Sequence, residues 1–304
     1  MTRVAVIQAG TTLFDTPATL VKFETLAGQA AAMGAKLALF PEAFIGGYPR
    51  GMDFGARVGF RTPEGRDWFA RYHASAIDVP GLETETMGEI AARHAMHLVV
   101  GVIERERGTL YCSALHFGPD GALINKHRKV MPTAMERIIW GQGDGSTLSV
   151  TQTEIGKIGA VICWENYMPT MRMAMYGQGV EIYCAPTVDD RETWALSMRH
   201  IAFEGRCFVL SAVQYMTRDN VPDGCPVDGP PDHIMIRGGS IIVGPLGNVL
   251  AGPLYDQEAV LVADIDLAEL PRAKYDFDAV GHYARPDIFR LDVDTRAKPP
   301  VSYD

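Results

Sequence analysis

The chain has 304 residues, 47% of them apolar, with 28 basic residues set against 37 acidic ones for a net charge of -9. That composition can bury a substantial core, as one large domain or as two fused halves, and excludes disordered and fibrous classes. No Lys/Arg run is long enough to follow a phosphate backbone and no apolar stretch approaches the roughly 20 residues of a bilayer span, so neither nucleic acid nor a membrane is an expected partner.

The opening stretch VAVIQA (residues 4–9) reads as a short strand, too brief for the apolar region of a signal peptide. PATLVKFETLAGQAAAMG follows with helical spacing and ends at Gly34, where a C-terminal cap belongs. KLALFPE is the next strand, LETETMGEIAARHA a second helix, and HLVVGVIERE, LYCSALHFG and GALINKHRK complete the strands of the first half. His94 and His97 are expected together at a helix end facing solvent; no third metal ligand follows at a usable spacing.

The second half retraces the first. VAVIQ (4–8) matches GAVIC (159–163), GAKLALFPEA (34–43) matches GVEIYCAPTV (179–188), HLVVGVIER (97–105) matches CFVLSAVQY (207–215), and FGPDGALI (117–124) matches VGPLGNVL (243–250). Alternating strands and helices make this an α/β chain. Two sheets, each bare on one face, would stack into a four-layer α-β-β-α sandwich of two internally similar halves. Residues 1–270 are expected to form one domain and 271–304, aromatic, charged and broken by proline, an arm laid over that domain or over a partner. Asp189, Asp190 and Glu192 are expected at a solvated helix N-terminus.

Five cysteines, an odd number without a CxxC pair, argue against a disulfide framework and a zinc site. A cytoplasmic protein with reduced thiols is the expectation. Three predicted strands end in reactive side chains, the place where α/β sheets present their sites. They are Glu42 in LALFPEAFIGGYPRG, Lys129 in INKHRKVMPTAMERIIWGQGDGS with Glu136 seven residues on, and Cys163 in KIGAVICWENYMPTMRMAM. Singly these read as a loop carboxylate, part of a basic cluster and a buried thiol. Together they complete one another: a thiol of ordinary pKa near 8.5 needs a base or a cation to act as nucleophile. Glu42 supplies the base, and Lys129 the cation and a donor to developing negative charge. Cys184 and Cys207, inside apolar runs, belong to the core, while Tyr48 and Trp164 are candidates to line an apolar pocket, ahead of Trp194.

FPEAFIGGYPRG, HRKVMPTAMERIIWGQGDGS and GAVICWENYMP resemble, in order and spacing, the three catalytic motifs of the nitrilase branch of the carbon-nitrogen hydrolase superfamily, and the similarity runs from Val4 to YDFDAVGHYARPDIF. The resemblance implies a Glu-Lys-Cys triad at Glu42, Lys129 and Cys163, with Glu136 beside the lysine, and the same sandwich fold. CWEN followed by YMP is similar to the true nitrilases rather than the amidases. The implied activity is hydrolysis of an organic nitrile to a carboxylic acid and ammonia, through a cysteine thioimidate and without metal or organic cofactor. An amidase, a hydratase that stops at the amide, and a non-catalytic assembly protein are the alternatives. The family pairs through helices beside the nucleophile, and the methionines at 168, 171, 173 and 175 suit such a contact. At least a homodimer is expected.

Overall fold

The computed structural model describes residues 1–301; the last three positions of the expected arm, 302–304, lie outside the described residues. The first half runs β1 (Thr2–Gln8), α1 (Thr16–Ala32), β2 (Leu37–Leu39), α2 (Pro63–Ser75), α3 (Leu82–His94), β3 (His97–Glu106), β4 (Thr109–Phe117) and β5 (Leu123–Arg128). The second runs β6 (Val150–Thr153), β7 (Gly156–Ala160), α4 (Pro169–Gly177), β8 (Ile182–Cys184), α5 (Glu192–Gly205), β9 (Phe208–Ser211), β10 (Tyr215–Thr217), β11 (Ile234–Val243), β12 (Val249–Tyr255), β13 (Ala259–Ile265) and α6 (Glu269–Ala273).

Two sheets form, in the orders β13-β1-β2-β3-β4-β5 and β10-β11-β9-β8-β7-β6, with β12 on β11. In the first, β1, β2 and β3 are parallel and β4 and β5 follow antiparallel; in the second, β7, β8 and β9 are parallel and β11 and β12 follow antiparallel. The four sequence matches fall on corresponding strands and turns of these two series, so the repeat is present in the topology. The halves are nonetheless interlocked, because β13 pairs antiparallel with β1.

Alternation along the strands builds the layers. Val4 and Val6 of β1 and Leu37 and Leu39 of β2 meet Ile158, Ile182, Phe208 and Leu210 of the other sheet in one buried cluster between the sheets. Ala5, Ile7, Ala38 and Phe40 face the opposite way, onto Phe23, Leu26 and Ala27 of α1 and Met87 and Ile90 of α3. Tyr183, Val209 and Ile241 likewise meet Met175 of α4 and Trp194, Met198 and Ile201 of α5. Parallel strands covered on both faces explain why these segments read as nearly unbroken apolar runs.

Local chemistry sets the helix ends. Asp15 accepts from the Ala18 N–H at 2.9 Å with Pro17 in the first turn of α1, and Gly34, at φ +84°, takes the left-handed conformation that ends it. After His94 the left-handed Ala95 stops α3 and turns the chain into β3. His97 is therefore not on a helix end: it opens β3, buried, with Nδ1 3.1 Å from His116 Nε2 and Nε2 2.9 Å from Glu154 Oε1. No helix among the described residues is long and apolar enough to cross a membrane. Helix α6 spans the expected 270/271 division, and beyond it the chain is mostly exposed, touching its own body where Asp276 meets Arg206 at 3.4 Å and the Lys298 N–H donates to Asp144 at 2.6 Å.

Candidate active site

The strand ends of both sheets converge on one buried group. Glu42 follows β2 in a turn whose next residue, Ala43, is left-handed at φ 49°. Gly101 of β3 makes room for it: a Cβ there would lie 2.2 Å from the Pro41 carbonyl oxygen and 2.6 Å from Glu42 Cα. Lys129 leaves the end of β5, and its Nζ donates to Glu42 Oε1 at 2.6 Å and to Glu136 Oε2 at 2.8 Å. Glu136 is the third residue of the short 3-10 helix Ala134–Ile138, where it also accepts from the Thr133 N–H at 2.6 Å and from the Tyr48 hydroxyl at 2.9 Å. The Tyr48 phenol is held neutral, as a donor, by burial and by the nearby carboxylates.

Cys163 begins the 3-10 helix Cys163–Tyr167 at φ 50°, a conformation that non-glycine residues hold only when their surroundings impose it. Its N–H donates to the Pro186 carbonyl at 2.9 Å, and its sulfur accepts from the Thr187 hydroxyl at 3.1 Å. Thr187 stands at the end of β8 as Glu42 stands at the end of β2.

Electrostatics follow from burial. Desolvation pushes the Glu42 carboxyl up to about 7, although Lys129 pulls the other way. Burial acts to lower the Lys129 ammonium, but Glu42, Cys163 and Glu136 outweigh it and hold it well above the usual lysine range. Burial and Glu42 push the Cys163 thiol well up, opposed by Lys129 and Thr187. The resting cluster thus holds a neutral thiol, a fixed cation and a carboxyl whose affinity for a proton is matched to neutral pH.

The structure brings Glu42, Lys129, Glu136 and Cys163 together. A cavity of about 400 Å³ opens onto Cys163 and Glu136, walled also by Tyr48, Arg50, Met135, Trp164, Val188 and Arg191 among others. Tyr48 and Trp164 are both on its wall, and Trp164 is part-exposed there. Trp194 lies in the core instead, donating to the Ser211 hydroxyl at 2.8 Å.

Two contributors, Cys112 and Glu165, carry no sequence signal of their own, and a third, Asp189, carries one that points elsewhere. Cys112 of β4 directs its thiol at Glu42 Oε1 from 3.6 Å. Glu165, fully buried, accepts from the Ile162 N–H at 2.9 Å, the Val130 N–H at 2.6 Å and His127 Nε2 at 3.0 Å, tying the Cys163 turn to the Lys129 loop. Asp189 is not the solvated carboxylate expected of it. It is buried, accepts from Trp164 Nε1 at 2.8 Å and pairs with Arg191, which lies over the Trp164 ring. All five cysteines are free thiols, with Cys184 and Cys207 fully buried in the core.

The family model for carbon-nitrogen hydrolases matches residues 3–275. Among curated proteins, the chain is 58% identical to an aliphatic nitrilase of Sinorhizobium fredii (strain HH103), over 98% of this chain and 97% of that one. It is 56% identical to a bifunctional nitrilase/nitrile hydratase of Nicotiana tabacum, over 99% of this chain and 88% of the other. Among solved structures, a carbon-nitrogen hydrolase from Helicobacter pylori G27 shares the fold, with a TM-score of 0.74 at 20% identity, covering 94% of this chain and 96% of that one. The chain belongs to the carbon-nitrogen hydrolase family.

Proposed function

We propose that the protein is a nitrilase, hydrolysing an organic nitrile to the carboxylic acid and ammonia. The observation that carries this reading is a buried Glu42–Lys129–Cys163 cluster opening on a cavity, in a chain 58% identical along its length to an aliphatic nitrilase. Glu42 accepts the thiol proton, Cys163 Sγ adds to the nitrile carbon, and the nitrogen takes that proton back from Glu42 to give a neutral thioimidate and a carboxylate ready to act again. Lys129, with the backbone N–H of Trp164, stabilises the charge that develops on the nitrile nitrogen. Glu136, fixed by Tyr48 and Thr133, orients Lys129 and keeps it charged. Water activated by Glu42 then attacks the thioimidate carbon, ammonia departs to leave a thioester, and a second water releases the acid. None of these steps calls on a metal or an organic cofactor.

The tetrahedral intermediate can instead expel the thiolate and release the amide. That outcome is favoured as a side reaction by the likeness to a relative named for both activities. Incubating the purified protein with nitriles of graded size, and quantifying acid, amide and ammonia, tests the reading. Acid with equimolar ammonia is expected; amide alone marks a hydratase, and no turnover of any nitrile or amide marks a non-catalytic protein.

Residues 1–270 form the hydrolase domain in this reading and 271–304 an arm upon it, in a protein that works in the cytoplasm. It pairs into at least a homodimer through the face of α4 that carries half-exposed Met173, Met171 and Met175 being committed to the core. Light scattering at micromolar concentration tests the pairing, and a monomer there refutes it.

A further inference from the structure

The second half of the fold contributes one polar group to the sulfur of Cys163. Thr187 is fully buried; its N–H donates to the Ala212 carbonyl at 3.0 Å, and the preceding carbonyl, of Pro186, accepts from the Cys163 N–H. Its side-chain oxygen accepts from the Asp189 N–H at 2.9 Å. That bond occupies the hydroxyl as an acceptor and leaves its proton to point at Cys163 Sγ, 3.1 Å away. A hydroxyl held from both sides in this way cannot turn aside when charge appears on the sulfur.

We propose that Thr187 is a catalytic residue, whose hydroxyl holds Cys163 Sγ in the attacking rotamer and stabilises the thiolate formed as Glu42 takes the proton. The proposal rests on Cys163 being the nucleophile. In the step, the S–H bond breaks, its proton passes to the Glu42 carboxylate, and the electron pair stays on sulfur until it forms the S–C bond. Thr187 keeps its own proton throughout.

The need for such a donor is visible in the charges around the sulfur. Burial and Glu42 both disfavour the thiolate. Against them stand Lys129, whose ammonium is already bonded to two carboxylates, and Thr187, which has no other acceptor. Each half of the duplicated fold thus delivers one group from beyond the end of the corresponding strands β2 and β8 to the same thiol: Glu42 receives the proton and Thr187 steadies what the proton leaves behind.

The test is the pH dependence of iodoacetamide alkylation at Cys163, read by peptide mass spectrometry, in the parent and in Thr187→Val, Thr187→Ala and Thr187→Ser, with kcat and KM measured beside it. Thr187→Val and Thr187→Ala are expected to move the alkylation midpoint up by about one to two pH units, since a hydrogen bond to a charged group is worth roughly ten- to a hundredfold. They should lower kcat by a similar factor with little change in KM, and Thr187→Ser should restore most of both. Using two apolar replacements guards against either one failing to fold, which near-ultraviolet circular dichroism reports. Unchanged alkylation profiles and kcat in the apolar variants overturn the role of Thr187, as does a Thr187→Ser variant impaired as much as Thr187→Val. Turnover by Cys163→Ala overturns the nucleophile itself.

Discussion

Replacing Lys129 by methionine keeps the shape of the side chain and removes the one charge that holds Glu42 and Glu136 together. Lys129 is fully buried, with Nζ 2.6 Å from one carboxylate and 2.8 Å from the other. Removing one partner of a buried ion pair costs about 3–5 kcal/mol when the remaining charge cannot be neutralised. Here it can be, because Glu42 sits near 7 even with the lysine present and rises further without it. In the parent, folded Glu42 is about half ionised at pH 7 and fully ionised by pH 9 while the unfolded chain is ionised throughout, so over this range its contribution to stability changes by only about 0.4 kcal/mol. In Lys129→Met the folded protein retains a proton that the unfolded chain releases, so stability falls by up to about 1.4 kcal/mol for each unit of rising pH. Urea unfolding should therefore show the variant about 3–5 kcal/mol less stable than the parent at pH 9 and closer to it by roughly 2–3 kcal/mol at pH 7. Adding Glu136→Gln should recover part of the deficit at pH 9. Parallel pH profiles for parent and variant, or a variant as stable as the parent at pH 9, would refute the account of Lys129 as a shared buried cation.

Cys163→Ala should abolish ammonia release and leave the fold intact, whereas Cys184→Ala or Cys207→Ala, each emptying a fully buried site, should keep turnover and lose about 1 kcal/mol in thermal or urea unfolding. Because Glu42 must be ionised to take the thiol proton, kcat/KM should climb with pH through about 7; a flat profile across that range contradicts its role as base. The same raised pKa has the opposite sign for stability, since between 4.5 and about 7 the native protein holds a proton that the unfolded chain does not, and stability declines as pH rises through that window. Glu42→Gln and Lys129→Met should each reduce kcat by orders of magnitude, and the double variant by far less than the product of the two losses, as stopped or coupled ammonia assays will show. Gly101→Ala places a methyl group against the Pro41 carbonyl and Glu42 Cα. It should destabilise by about 1–3 kcal/mol and reduce kcat more than KM, and a variant with parental kcat would show that the Glu42 turn tolerates displacement.

The layered fold was legible in the sequence because its strands are buried on both faces, which leaves long apolar runs, and because the chain repeats its strand-and-turn series with the hairpin turns GPDG and GPLG at the same point. The reactive residues were legible as charged or nucleophilic side chains at the ends of such runs. Helix α2 was not: only Gly65, Tyr72 and Ser75 along it are buried, so it has no apolar stripe to detect, and its start depends on the Thr62 cap and Pro63. His97 opens the strand HLVVGVIERE as read, but its grouping with His94 at a solvent-facing helix end failed because left-handed Ala95 ends α3 at His94 and nothing in the Ala95 side chain announces that turn. Glu165 escaped and Asp189 was taken for a solvated carboxylate because partners of each come from another loop: the Val130 N–H and the His127 ring for Glu165, the Trp164 ring nitrogen for Asp189. Such pairings exist only once the tertiary structure has formed.

The antiparallel pairing of Thr2 with Ile265 and of Gln8 with Ala259 sets the order in which the chain can acquire its shape. On a ribosome, β1 emerges well before its partner on that side, because Gln8 and Ala259 are separated by 251 positions of chain. Until then the apolar strand that heads the first sheet has an open edge, the kind of surface on which nascent chains join one another. Closing so long a loop also delays the final step, because its entropy must be met before the pairing returns anything. A fragment ending after β5 would consequently remain soluble only while a chaperone, or the separately supplied second half, covered β1. Co-expression of the two halves as separate chains should rescue a solubility that neither half has by itself.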